Sequence, residues 1–130
     1  MFASPHPFPR IHTRRDALRL FAGLGGAERE MLGIAYLGSE RMLLGLRHVA
    51  GLADAVAVPV TRIARDALFF SASAVLIAHN HPDGDLRPSA ADLSLTRRLA
   101  QGLGALDLTL LDHLILAGGA VLSLRDMGMV

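Results

Sequence analysis

Residues 74–79 read AVLIAH, a continuous apolar run that closes on a histidine, and the chain continues from His79 to Asp92 as HNHPDGDLRPSAAD. An apolar run without polar alternation is the pattern of a strand covered on both faces, so the fold must place layers on either side of it. Pro82 has no N–H to give a sheet ladder, which makes His81 the last residue of that strand. Beyond a loop bent at Gly84, Ser89 and Asp92 stand three apart at the head of SAADLSLTRRLAQGLG, the clearest helix in the chain, which ends near Gly102 to Gly104.

The remaining elements follow from the same signals. TRRDALRLFAGLGG supplies Thr13 as a cap, Asp16 three residues later and Gly25-Gly26 as a stop, and so reads as a helix. EMLGIAYL (30–37) and RMLLGLRHV (41–49) are apolar runs around Gly38-Ser39-Glu40, a hairpin whose strands Gly33 and Gly45 weaken. PVTRIARDALFFSA opens a helix after Pro59, with an apolar stripe of Ile63, Ala64, Ala67, Leu68 and Phe70. LLDHLILAGGAVLSL gives two strands joined at Gly118-Gly119. The order is helix, strand, strand, helix, strand, helix, strand, strand: a mixed α/β sheet with helices packed against it. Residues 1–12 are expected to form a flexible arm and residues 13–130 one domain.

Composition narrows the chemistry. At 130 residues and 52% hydrophobic content the chain builds one core, and scarce aromatics leave little for base stacking. Thirteen arginines against twelve acidic residues leave a net charge of +1, too small for a phosphate-tracking surface, so direct nucleic-acid binding is not expected. Without cysteine there is no disulfide, thiolate metal site or cysteine nucleophile, and any metal must be held by nitrogen and oxygen. The N-terminal MFASPHPFPR is neither a signal peptide nor a membrane span, and the default location is cytoplasmic.

In an extended strand His79 and His81 point to one face and Asn80 to the other. The first turn of the following helix returns Asp92 to the same end. Two nitrogens and a carboxylate oxygen suit zinc, with a fourth tetrahedral position for water. Hydrolysis at such a centre also needs a carboxylate to move protons. Glu28 and Glu30 are the candidates, with Glu40 placed in a turn, and Ser89 is a candidate donor to an oxyanion.

Simpler readings stand beside these. Ser89 and Asp92 also make a capping box, and a histidine at a strand end is often only solvated. His113, inside the apolar LLDHLIL, is expected to be a core histidine bonded to a neighbour, with Asp112 a weak candidate for orienting a ligand. His6, His12 and His48 read as surface residues. The letters HNH do not make the nuclease of that name, and the zinc deaminases need cysteines that this chain lacks.

AHNHPDGDLRPSAADLSLTRRL, followed by LLDHLIL, GG and LSLRDMG, resembles the RadC-like JAB domain of the JAMM, or MPN+, metalloprotease superfamily. The resemblance runs from about AEREML to the C-terminus. It implies a three-layer, cytidine-deaminase-like, JAB-type sheet flanked by helices over residues 13–130. It also implies zinc on His79, His81 and Asp92, with Ser89 and Glu30 as catalytic residues; REMLGIAYL matches the family's arginine-glutamate strand start and favours Glu30 over Glu28. Relatives usually carry serine where Asp83 stands, a longer segment than residues 46–59 provide, and an N-terminal helix-hairpin-helix module.

The activity so implied is zinc-dependent hydrolysis of peptide or isopeptide bonds in a protein substrate, with a homodimer as one assembly. The alternatives are a DNA-repair-associated accessory and a non-catalytic protein-interaction module on the same fold.

Overall fold

The computed structural model describes residues 9–50 and 60–130. Residues 1–8, with His6 and most of the expected arm, and residues 51–59, with the expected helix-opening Pro59, lie outside the described residues. The elements are α1 (Arg14–Leu20), β1 (Met31–Leu37), β2 (Leu43–Ala50), α2 (Val60–Phe69), β3 (Ala74–Asn80), α3 (Ala90–Gly104), β4 (Thr109–Ala117) and β5 (Ala120–Ser123). They form a mixed α/β fold around one five-stranded sheet in the order β2-β1-β3-β4-β5. The β3–β4 pair is parallel, joined through α3, and the other neighbours are antiparallel.

The sheet is covered on both faces, as the unbroken apolar run of β3 requires. On one face Leu32, Ile34 and Tyr36 of β1 and Val75 and Ile77 of β3 pack with Ile63 and Ala67 of α2 and Leu95, Leu99 and Leu103 of α3. On the other, Ala35, Leu37, Leu76 and Ala78 pack with Ala17, Phe21, Leu24 and Ile11. The alternation within β3 thus sends odd-numbered residues toward α2 and α3, and even-numbered ones toward α1. Backbone hydrogen bonds from Ile11 to Arg41 and from Leu43 to Pro9 lay residues 9–11 along the start of β2.

The glycines inside β1 and β2, Gly33 and Gly45, are explained by close approach. A Cβ on Gly33 would stand 2.8 Å from the ring of Phe21, and one on Gly45 would stand 2.7 Å from the ring of Phe70. Each ring occupies the space that a side chain at the glycine would need.

The β1–β2 turn differs from the expected Gly38-Ser39-Glu40 loop. Met42 N donates to Ser39 O, and the central residues Glu40 and Arg41 both take positive φ, 54° and 57°. These are the features of a type I′ turn, which matches the twist of a hairpin but favours Asn and Gly. One member of the expected α2 stripe, Leu68, departs from it, while Ile63, Ala64, Ala67 and Phe70 face the core. Leu68 is 55% exposed, because a step of about 100° from the buried Ala67 carries it to the solvent edge of the helix.

A bulge in β4 matters for the site. Leu110 pairs with Val75, but the next rung joins Asp112 to Leu76, leaving Leu111 as an extra residue. The insertion shifts the alternation by one, so that His113 faces α3 on the same side as Leu110.

Candidate metal centre

The centre lies where β3 ends and α3 begins. His79 is buried in the strand, His81 follows its end, and Asp92 occupies the first turn of α3. His79 Nε2 lies 2.8 Å from His81 Nε2 and 3.1 Å from Asp92 Oδ1, and His81 Nε2 lies 3.2 Å from Asp92 Oδ2. The carboxylate therefore spans both imidazoles, one oxygen to each.

The capping box is present in full. Ser89 Oγ accepts from Asp92 N at 3.0 Å, and Asp92 Oδ2 accepts from Ser89 N at 2.8 Å. Capping and site geometry are thus the same arrangement, since the cap aims the Asp92 carboxylate at the histidines. Burial raises the carboxyl's pKa, but the contact with His79 and the Ser89 N–H outweigh it and hold Asp92 below the usual carboxylate range. An acceptor-only Asp92 is the form that can bind a cation.

Glu30 is the third arm of the region. It immediately precedes β1, is half-buried, and offers an oxygen that lies, with ligand atoms of His79 and His81, within a group no more than 4.8 Å across. The antiparallel register pairs Leu32 with His79, and one further step of two residues puts Glu30 opposite His81. Glu28 is exposed. The sequence left these two carboxylates sharing a face, and the structure separates them by depth.

Asn80 decides where Glu30 stands. Turned away from the histidines and 1% exposed, it accepts from Met31 N at 2.6 Å and donates to Ala27 O at 3.2 Å and Arg29 O at 2.9 Å. Three hydrogen bonds from one amide thus clamp the segment that carries Glu30. Sequence reasoning placed Asn80 on the far face but assigned it no task.

A cleft of about 490 Å³ opens on this centre, lined by Glu30, His81, Pro82, Asp83, Asp85, Arg87 and Ser89. Asp83 accepts from Asp85 N at 3.0 Å, closing the loop as a side-chain turn that serine also makes, so aspartate suits this position. Arg87 grips Asp85 through two nitrogens and, with its backbone N–H, holds that carboxyl down to about 2.

The residues fit a metal on this structure's own evidence. A tetrahedral ion with bonds of about 2.0 Å has ligand atoms about 3.3 Å apart, close to the 2.8, 3.1 and 3.2 Å separations found. His81 Nδ1 faces the carbonyl of Asp85, which can only accept, so this ring carries its proton on Nδ1 and turns a lone pair from Nε2 toward Asp92. A cation at that point relieves the clustering of electron-rich atoms.

His113 is a buried core histidine bonded to a neighbour, and that neighbour is His79: His113 Nε2 lies 2.7 Å from His79 Nδ1. Asp112, a weak candidate for orienting a ligand, is engaged elsewhere. Its carboxylate accepts from His113 N, Arg125 N and Ser123 Oγ, and so ties β4 to β5. The β4 bulge makes the difference, because uninterrupted alternation from Leu110 would have given Asp112 the inward position.

Comparison with known proteins places the chain in a family. The family model described as the RadC-like JAB domain matches residues 11–129. A UPF0758 protein of Acidithiobacillus ferrooxidans is 44% identical over 101 residues, covering 77% of this chain and 45% of the relative. The UPF0758 protein YfjY of Escherichia coli is 36% identical over 124 residues, covering 95% of this chain and 76% of the relative. The UPF0758 protein YeeS of the same species is 37% identical over 119 residues, covering 91% and 80%. The chain thus spans less than half of the first relative and about four fifths of the last.

Proposed function

This chain belongs to the RadC-like JAB domain family, and from that premise we propose that it is a zinc-dependent hydrolase of peptide or isopeptide bonds. The observation that carries the reading is the convergence of His79, His81 and Asp92 beside a cleft that Glu30, His81 and Ser89 line.

His79, His81 and Asp92 would hold the ion. Zinc bound there would supply Lewis acidity, able to polarise a carbonyl and to make a water nucleophilic near neutral pH. Glu30, half-buried beside the histidines, accepts a proton from the attacking water and returns it to the leaving amine. The Ser89 oxygen already accepts from Asp92 N, which leaves its own proton free to donate to the oxyanion of the tetrahedral intermediate. A peptide substrate would lie along the cleft between Glu30 and the Asp83–Arg87 loop.

The test is an assay of zinc-loaded wild type and Glu30→Gln on peptide and isopeptide-linked substrates. The substitution keeps the shape and removes the base, so turnover should fall by about 10²–10⁴-fold. A wild type that cleaves neither class, or a Glu30→Gln variant that cleaves as well as wild type, overturns the proposal.

A further inference from the structure

A chain of three hydrogen bonds runs from the Asp92 backbone to the ring of His79, and its first member can act in only one sense. The Asp92 carbonyl is an obligate acceptor, and Thr96 Oγ1 donates to it at 2.8 Å from the next turn of α3. A hydroxyl has one proton, so the contact of 2.7 Å between Thr96 Oγ1 and His113 Nδ1 must be donated by the ring. With its proton on Nδ1, a neutral His113 presents a lone pair at Nε2. His79 Nδ1, 2.7 Å away, must then be the donor, so that in the neutral ring the lone pair sits on His79 Nε2, aimed at His81 and Asp92.

We propose that Thr96 and His113 are positioning residues that fix the tautomer and orientation of His79, so that its Nε2 lone pair is presented to the metal before the metal arrives. The proposal rests on the reading of this site as a metal centre, but the polarity of the chain does not depend on the ion, because it is imposed by a carbonyl. The chain also closes on itself: it starts at the backbone of one ligand, Asp92, and ends at the ring of another, His79. Movement of the first turn of α3 is thereby coupled to the imidazole in β3. His81 is served separately by the Asp85 carbonyl, so the two histidines have independent supports of the same polarity.

All three members are buried. His113 is 0% exposed, Thr96 1% and His79 4%, which excludes water as a substitute partner that could reverse a bond. The geometry depends on the β4 bulge, without which the His113 ring would face the opposite layer.

Two measurements test the proposal. In metal-free wild type, long-range nitrogen–proton correlation spectra of the imidazoles are expected to show His113 and His79 both protonated at Nδ1. Zinc affinity, measured by chelator competition, is expected to weaken about tenfold in Thr96→Val and to return to within about twofold of wild type in Thr96→Ser. His113 protonated at Nε2 in wild type, or a Thr96→Val variant that binds zinc as wild type does, overturns the proposal. A wild type that binds zinc but cleaves no peptide would overturn the hydrolase reading and leave these results to decide the chain. If wild type binds no zinc, the metal reading fails, and the proposal fails with it, whatever the tautomers.

Discussion

The Asn80 side chain and the Met31 backbone amide are joined by a hydrogen bond of 2.6 Å, and the same Asn80 amide group holds the carbonyls of Ala27 and Arg29. The residue between the two histidines thus holds the strand start that carries Glu30. Asn80→Ala should leave three partly buried backbone groups without this partner and cost about 1–3 kcal/mol of stability in urea titrations. Its catalytic effect should be separable: zinc affinity within about twofold of wild type, with turnover reduced. Loss of zinc binding in a folded Asn80→Ala protein would contradict this division of roles.

Gly33 lies against the Phe21 ring, which is 1% exposed within a filled core. Gly33→Ala should therefore destabilise the protein by about 1–3 kcal/mol, because the added methyl group forces the ring or the strand to move. A denaturation midpoint equal to that of wild type would show that the ring adjusts freely.

Arg41 has φ 57° at the second central position of the β1–β2 turn, where glycine is favoured. Its side chain is exposed. Arg41→Gly should raise stability by about 0.5–1 kcal/mol, the relief of left-handed strain being partly offset by the greater freedom of glycine in the unfolded chain. Thermal unfolding reads this directly, and a lower midpoint would contradict it.

Burial first, and then the neighbouring His79, push the pKa of His113 down to about 3 from an ordinary value near 6.5. Below about pH 6.5 the unfolded chain takes up a proton that the folded chain refuses, so stability from this residue is full above that pH and is lost as pH falls toward 3. His113→Gln should flatten this part of the metal-free stability profile. An unchanged slope between pH 6.5 and pH 4 would place the acid sensitivity elsewhere.

Much of the fold was legible because it rests on local signals. The apolar run of β3, the Thr13 and Ser89 caps and the Gly118-Gly119 turn each carry their element in a few adjacent residues. The His79, His81 and Asp92 grouping was legible for the same reason, since strand alternation and a helix cap bring them to one point. What was hidden depends on register across distance. The inward turn of His113 needs one inserted residue in β4, and the Asn80 clamp needs the pairing of β1 with β3, which no local pattern encodes. The preference for Glu30 over Glu28 came from resemblance, and depth in the cleft supplies its physical reason. The exposure of Leu68 was misjudged because helical spacing says which residues share a stripe but not where its edge meets solvent.

The central claim is that His79, His81 and Asp92 hold one metal ion, and calorimetric titration of the metal-free protein with zinc tests it most directly. Wild type should bind one equivalent saturably, while His79→Ala and Asp92→Ala, checked for folding by circular dichroism, should each lose that binding by about a hundredfold or more. Absence of saturable binding in wild type, or undiminished binding in both folded variants, would contradict it.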